Sequence, residues 1–259
     1  MLNLPKIIIS GRGGSGKSTL VTLLAQQLKK HGKVLIVDSD ESNLGLGGML
    51  GIEPASKTLM DYLGGKPLVM DKLMSMIREK NSEQVEFFTD SDLDSLSSEF
   101  VHWNGSGGLM QIGKIEHTME GCACPMGAIA HDFLKHLMVG EGEWVLIDTE
   151  AGVEHFGRGI VEGADAVLVV VDPSNDAVLL AEKAAKLTEE AGKDFGVVLN
   201  KVDEKTQPVL EEMLEAKDLE IKGVLTYSPD LAQTNLRGEP LELTSANDEL
   251  DKLITRIAS

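Results

Sequence analysis

Cysteine is scarce, with two in 259 residues. That excludes a small secreted scaffold held together by disulfides. Long hydrophobic runs are missing too, and none approaches the roughly 20 residues a membrane-spanning helix needs. The N-terminus, Met1-Leu2-Asn3-Leu4-Pro5-Lys6, has neither the charged start nor the apolar stretch of a secretory signal. Positive charge is in deficit: 24 Lys plus Arg face 42 Asp plus Glu, for a formal net charge of −18. A surface of that sign disfavours nonspecific attraction to nucleic acid or anionic lipid. The expectation is a soluble, cytoplasmic protein with no nucleic-acid partner and no membrane partner. A hydrophobic fraction of 42% suffices for a sizeable core, and the length suits one domain spanning 1–259.

What the chain does have is Gly11-Arg12-Gly13-Gly14-Ser15-Gly16-Lys17-Ser18-Thr19. An apolar run, Ile7-Ile8-Ile9, precedes it, and Leu20 to Leu28 follows with apolar residues at helical spacing. Strand, glycine-rich turn and helix together form the setting of a phosphate-binding loop. The glycines let successive backbone N–H groups face phosphate oxygens, and the helix turns its positive end to the same anion. Lys17 reaches the β and γ phosphates, and the Ser18 hydroxyl ligates Mg²⁺.

Apolar runs alternating with helical stretches predict an α/β fold: a doubly wound, mostly parallel sheet with helices on both faces and nucleotide at the carboxyl ends of the strands. Lys33 to Val37 reads as the second strand, ending in Asp38-Ser39-Asp40, two carboxylates placed to orient magnesium-bound or attacking water. Asn43 to Gly51 reads as a mobile glycine-rich connection. Short helical patterns follow between Thr58 and Lys80, with Met70, Met74 and Met76 as packing or contact residues. Val85 to Thr89 reads as a strand, Asp90 to Gly108 as a loop carrying His102, and Leu109 to Ile115 as a strand. Glu143 to Ile147 is a strand ending in Asp148, the place of a Walker B carboxylate, and Gly152 can bring its N–H to a γ-phosphate. His155 follows in the same stretch, as a nucleotide sensor or a packing residue. Ala166 to Val171 suits a strand buried on both faces. Phe195 to Leu199 ends in Asn200-Lys201-Val202-Asp203, which also matches the guanine-reading pattern of GTPases, so the base stays open between adenine and guanine; the Arg12-bearing loop favours ATP.

Both cysteines fall in Glu120-Gly121-Cys122-Ala123-Cys124-Pro125. A disulfide this short is strained. Cys122 and Cys124 are either two buried structural thiols or half of a soft-metal site. Two chains meeting on a two-fold axis would supply four sulfurs, a set suited to tetrahedral Zn²⁺ or square-planar Ni²⁺. His117, Met119 and Met126 lie near enough to assist, though structural roles are the simpler reading.

Taken together, Arg12 in the loop, Asp38-Ser39-Asp40, Cys122-x-Cys124 and Asp148-Thr149-Glu150-Ala151-Gly152-Val153-Glu154-His155 resemble the CooC-type nickel-insertion ATPases. That group lies within the MinD/ParA/nitrogenase-iron-protein class with its deviant phosphate loop. The resemblance spans nearly the whole chain. It implies an ATP-driven homodimer that binds Ni²⁺ or Zn²⁺ through the paired cysteines and serves apo carbon monoxide dehydrogenase. It implies catalytic roles for Lys17, Asp148, Asp40, which polarises the nucleophile, and a cation at position 12 that reaches the partner's nucleotide. It also implies Asp38 near the magnesium, Asn200 on adenine and Pro229 beside the base. The chain departs from the class pattern in carrying Arg12 where a Lys is usual, and the two are not interchangeable. Two alternatives remain: a positioning ATPase like MinD or ParA, and an iron–sulfur carrier, whose known relative uses widely separated cysteines.

Overall fold

In the computed structural model the apolar runs pair side by side. The structure describes residues 5–79, 86–114, 124–153, 156, 159–242 and 247–257. Among these, eight strands form one sheet. At its centre is β1 (Lys6–Gly11), flanked by β7 (Glu143–Asp148) and β8 (Ala166–Val171). Outward from β7 lie β2 (Lys33–Asp38), β5 (Gly107–Gln111) and β4 (Val101–Asn104). Outward from β8 lie β9 (Asp194–Val202) and β10 (Ile221–Thr226). All neighbours run parallel except β4, which pairs antiparallel with β5. Two further short strands, β3 (Ser91–Asp92) and β6 (Leu137–Met138), pair apart from this sheet.

Side chains along each strand alternate between two cores, as a period of two requires. Ile7, Ile9, Val34, Ile36 and Leu146 face one layer, with helices α1 (Lys17–Leu28), α2 (Leu46–Leu50) and α9 (Asn247–Ile257). Ile8, Leu35, Val37, Val145 and Ile147 face the other. That second layer includes α3 (Leu59–Tyr62), α4 (Lys66–Glu79), α5 (Cys124–His136), α6 (Asn175–Glu190) and α7 (Thr206–Glu215). A last helix, α8 (Pro229–Leu236), follows β10. Each fully buried Ile, Leu or Val contributes roughly 1.5–3 kcal/mol, so burial on both faces ties the sheet to its helices. The doubly wound α/β architecture expected from the sequence is what forms, and the carboxyl ends of β1, β2, β7 and β9 converge on one edge.

Four local expectations are corrected. Residues 86–89 form no strand: the N–H groups of Phe87 and Phe88 both donate to the buried carboxylate of Asp132, at 2.6 and 3.0 Å, which takes the place of a ladder. Within 90–108, β4 and β5 make a hairpin through Gly105-Ser106, with Gly105 at φ +61°. A Gly-Ser pair between two strands is a hairpin signal in its own right. Part of the glycine-rich stretch 43–51 is helical and anchored: Leu46 and Met49 are buried, and Leu241 N–H donates to Met49 O at 2.9 Å. The strand expected to reach Ile115 ends at Gln111, and Ile115 lies outside the described residues.

Candidate nucleotide site

The loop between β1 and α1 is shaped by its glycines. Gly11, Gly14 and Gly16 have φ of +149°, +78° and +100°. A Cβ on Gly11 would stand 2.7 Å from Val170 O, and one on Gly16 would stand 2.2 Å from Asn200 Nδ2. Backbone and Asn200 therefore close on the loop where a side chain would keep them away. Asn200 donates from Nδ2 to Ser15 O at 2.7 Å, and Lys201, itself at φ +58°, donates from Nζ to Gly14 O at 2.7 Å.

Inside this frame Lys17 is buried, its Nζ 3.4 Å from Arg12 O. Burial lowers its pKa, while Asp148, Asp40 and Glu150 act against that. Ser18 Oγ donates to Asp148 Oδ2 at 2.6 Å, and Asn43 Nδ2 reaches both, at 2.9 and 3.2 Å. Asp148 is fully buried, which pushes its pKa up to about 7; the Ser18 hydroxyl opposes the rise and the nearby Asp38 adds to it. Asp38 is buried as well and its pKa is raised by that burial, with Lys114 at 2.7 Å as the counter-charge. Asp40, half-exposed, accepts at Oδ1 from the N–H and hydroxyl of Ser42.

Two buried oxygens, Ser15 Oγ and Asp148 Oδ1, have no hydrogen-bonding partner among the described residues. A buried polar atom without a partner is costly. With a lysine, a hydroxyl, a carboxylate and a helix N-terminus gathered around them, they fit a magnesium-bound phosphate. The cavity over the loop measures about 770 Å³ and is lined by Gly13, Lys17, Ser18, Thr19, Asp40 and Asn43 at one end and by Asn200, Tyr227, Leu231 and Asn235 at the other.

Other residues named from the sequence lie as follows. Gly152 is at the loop, but its N–H donates to Gly11 O at 3.1 Å. Arg12 Nε pairs with Asp172 of its own chain at 2.9 Å. Pro229 opens α8, while the cavity wall beside it is made by Ser228 and Leu231. Asp203, the carboxylate of the guanine-reading pattern, accepts from Thr206 Oγ1 and from the N–H groups of Thr206 and Lys205. It is bound to the start of α7 and does not line the cavity. Cys122, His117, Met119 and His155 lie outside the described residues, as does the side chain of Cys124, which begins α5. Met126 is buried against Gly113, and no group of three or more metal-ligating side chains occurs among the described residues. His102 is exposed, with Nδ1 2.7 Å from Glu53 O. Of α4's methionines, Met70 and Met74 are exposed.

Sequence reading missed Asn43, Lys114, Asp172 and Lys201. Lys201 sits inside a recognised pattern; the others reach the site from loops or strand ends 25 to 160 residues away, with no local signal.

The comparisons with known proteins agree with this geometry. The model of the CobQ/CobB/MinD/ParA nucleotide binding domain matches residues 6–241. An uncharacterized ATP-binding protein of Methanocaldococcus jannaschii is 40% identical over 253 residues, covering 96% of this chain and 99% of that protein. The carbon monoxide dehydrogenase accessory protein CooC of Rhodospirillum rubrum is 31% identical over 192 residues, covering 72% and 70%. Among solved structures, the septum site-determining protein MinD of Pyrococcus horikoshii, complexed with Mg-ADP, has the same fold, with a TM-score of 0.68 at 21% identity over 97% of this chain and 94% of that one. No helix among the described residues is long and apolar enough to cross a membrane. By its loop, its sheet order and the match over residues 6–241, the chain belongs to the CobQ/CobB/MinD/ParA nucleotide-binding domain family.

Proposed function

We propose that this protein is an ATP-hydrolysing, nucleotide-switched homodimer that carries nickel and assists its insertion into apo carbon monoxide dehydrogenase. The observation that carries the hydrolytic part is the convergence of Lys17, Ser18, Asp40 and Asp148 on one end of the cavity, beside two buried oxygens without partners. The cargo reading is supported by the likeness to the Rhodospirillum rubrum protein, whose name assigns it to carbon monoxide dehydrogenase, and by the Cys122-x-Cys124 pair.

Lys17 and the loop N–H groups hold the phosphates. Ser18 and Asp148 would hold magnesium, which would supply positive charge against the phosphates. Asp40 is placed to orient the attacking water. Gly152 exchanges its bond to Gly11 O for one to the γ-phosphate, and Arg12 leaves Asp172 to reach the partner's nucleotide. Adenine is favoured over guanine because Asp203 is held at the start of α7, away from the cavity, whereas Asn200 lines it. Nickel is the cargo, bound between protomers by Cys122 and Cys124 of each.

The test is metal stoichiometry with ATP or ADP in the wild type and in the double variant Cys122→Ala, Cys124→Ala. About one nickel per dimer is expected for four thiolates, and none in the variant. Full retention by the variant would place the ligands elsewhere. The likeness to MinD structures favours a second reading, a positioning ATPase. Its membrane-binding helix would need a free apolar face, whereas the apolar residues of α9, Leu250, Leu253 and Ile257, are buried in the core.

A further inference from the structure

Strand β9 carries an irregularity beside the phosphate loop. Its register against β10 pairs Asn200 with Leu225 and then Val202 with Thr226, which leaves Lys201 as one extra residue on β9. Lys201 has φ +58°, a left-handed backbone that a residue with a Cβ adopts only at a cost. An extra residue of this kind is a β-bulge, and a bulge re-aims side chains. In a regular strand successive side chains leave on opposite faces. Here two successive ones reach the same loop: Asn200 Nδ2 donates to Ser15 O and Lys201 Nζ to Gly14 O, each at 2.7 Å. Pairing resumes directly afterwards, with Tyr227 N–H donating to Val202 O at 2.9 Å. The deviation on β9 is confined to the one residue whose side chain it brings to the loop.

Those two bonds act on adjoining peptide planes. A trans peptide carries its N–H opposite its C=O. With Gly14 O held by Lys201, the N–H of Ser15 is turned to the other side, where it donates to Arg12 O at 3.2 Å. With Ser15 O held by Asn200, the N–H of Gly16 is turned away from β9 as well. An anion cradle depends on the direction of such N–H groups. The Lys201 stem also packs close to the loop, with Cε 3.9 Å from where a Cβ of Gly16 would stand. Lys201 lines the cavity and is exposed, so burial in the core does not account for its placement.

We propose that Lys201 is a positioning residue for phosphate: the bulge aims it at Gly14 O, and with Asn200 it holds the loop in its anion-binding form before a nucleotide arrives. The proposal goes beyond the hydrolytic reading and rests only on nucleotide binding at this cavity. Preorganisation of this kind raises affinity by removing the cost of ordering the loop on binding.

The experiment uses the full chain as wild type, Lys201→Met, Lys201→Asn and Lys201→Arg. Methionine keeps the stem and removes the donors. Asparagine accepts the left-handed backbone and is too short to reach Gly14 O. Pyrophosphate and Mg-ADP are the ligands, with binding read by calorimetry. Both should bind about three- to tenfold more weakly to Lys201→Met and Lys201→Asn, the scale of one hydrogen bond. Lys201→Arg should recover most of the loss. In the nucleotide-free chains, amide exchange in peptides over 11–19 should be faster in Lys201→Met and near wild type in Lys201→Arg. The urea midpoint of Lys201→Asn should lie at or above that of Lys201→Met, because its backbone is relaxed, while its affinity is equally low. Affinity that instead follows stability across the variants would make Lys201 a merely structural residue and overturn the proposal. A loss for Mg-ADP with pyrophosphate unaffected would put Lys201 on the ribose or base and overturn it too. Weaker binding with loop exchange unchanged would leave only the pull of its charge, and the clamp would be refuted. A wild type that binds neither ligand would overturn the nucleotide reading, and faster loop exchange in Lys201→Met would then still establish the clamp.

Discussion

Replacing Gly16 by Ala tests how the loop is held. Gly16 caps the start of α1 at φ +100°. Any L side chain in that left-handed region costs roughly 1–2 kcal/mol. The new methyl would also lie 2.2 Å from Asn200 Nδ2. Asn200 must then swing away from Ser15 O, its partner at 2.7 Å in a buried bond. An orphaned buried acceptor costs a further 1–3 kcal/mol or so. Gly14→Ala supplies the reference: its φ is +78°, and a Cβ there meets nothing within 4 Å, so it pays the backbone cost alone. In an Asn200→Ala chain the second contribution is already gone, so Gly16→Ala should cost only about 1–2 kcal/mol. Urea midpoints of the four chains, measured without nucleotide and read with a common slope, give the coupling energy. Equal costs of Gly16→Ala in both backgrounds would show that Asn200 does not hold the loop, and the reasoning would be wrong.

Three more outcomes are expected. Asp148→Asn should stabilise the nucleotide-free protein, by urea unfolding, more at pH 8 than at pH 5, by about 2–3 kcal/mol. The folded carboxyl has its pKa raised to about 7 from an ordinary 3.8. The group therefore favours folding fully below its unfolded pKa, and that contribution is lost as pH rises through about 7. The ceiling at pH 8 is about 4 kcal/mol, at about 1.4 kcal/mol for each factor of ten in proton affinity. A pH-independent difference would refute a raised pKa. Asp40→Ala should abolish ATP turnover in a phosphate-release assay while Mg-ATP binding survives; retained turnover would remove Asp40 from the chemistry. Asp203→Ala should lower the thermal midpoint through loss of the bonds at the start of α7 yet leave ATP-over-GTP preference in a competition assay unchanged; a switch in preference would put Asp203 at the base.

How much of this was legible depends on distance along the chain. The loop from Gly11 to Thr19 declares itself because its turn, donors and helix are contiguous. The central strands are legible because burial on both faces demands unbroken apolar runs, as in Ala166 to Val171. Asn43 and Lys114 stayed silent because what makes them matter, Ser18 and Asp38, is 25 and 76 residues away. Phe87-Phe88 misled because strand propensity lost to a carboxylate 45 residues on. Asn200-Lys201-Val202-Asp203 leaves the base open in sequence because a base-reading aspartate and one that holds a helix start look alike there; in the fold Asp203 sits at the start of α7, outside the cavity lining.

The central place of β1 also sets the order in which the molecule can be made. β1 leaves the ribosome well before its two neighbours, β7 and β8, and the bond from Lys6 N–H to Asp165 spans 159 residues. At about 5–20 residues per second of synthesis, Ile7-Ile8-Ile9 waits roughly 8–30 s without its partners. Closing such a long loop is slow in its own right. The phosphate loop, strung between β1 and α1, cannot take its final shape before then. Nucleotide can thus be captured only by a chain that has been built past Val171, and until that point Ile7-Ile8-Ile9 has no neighbouring strands to cover it.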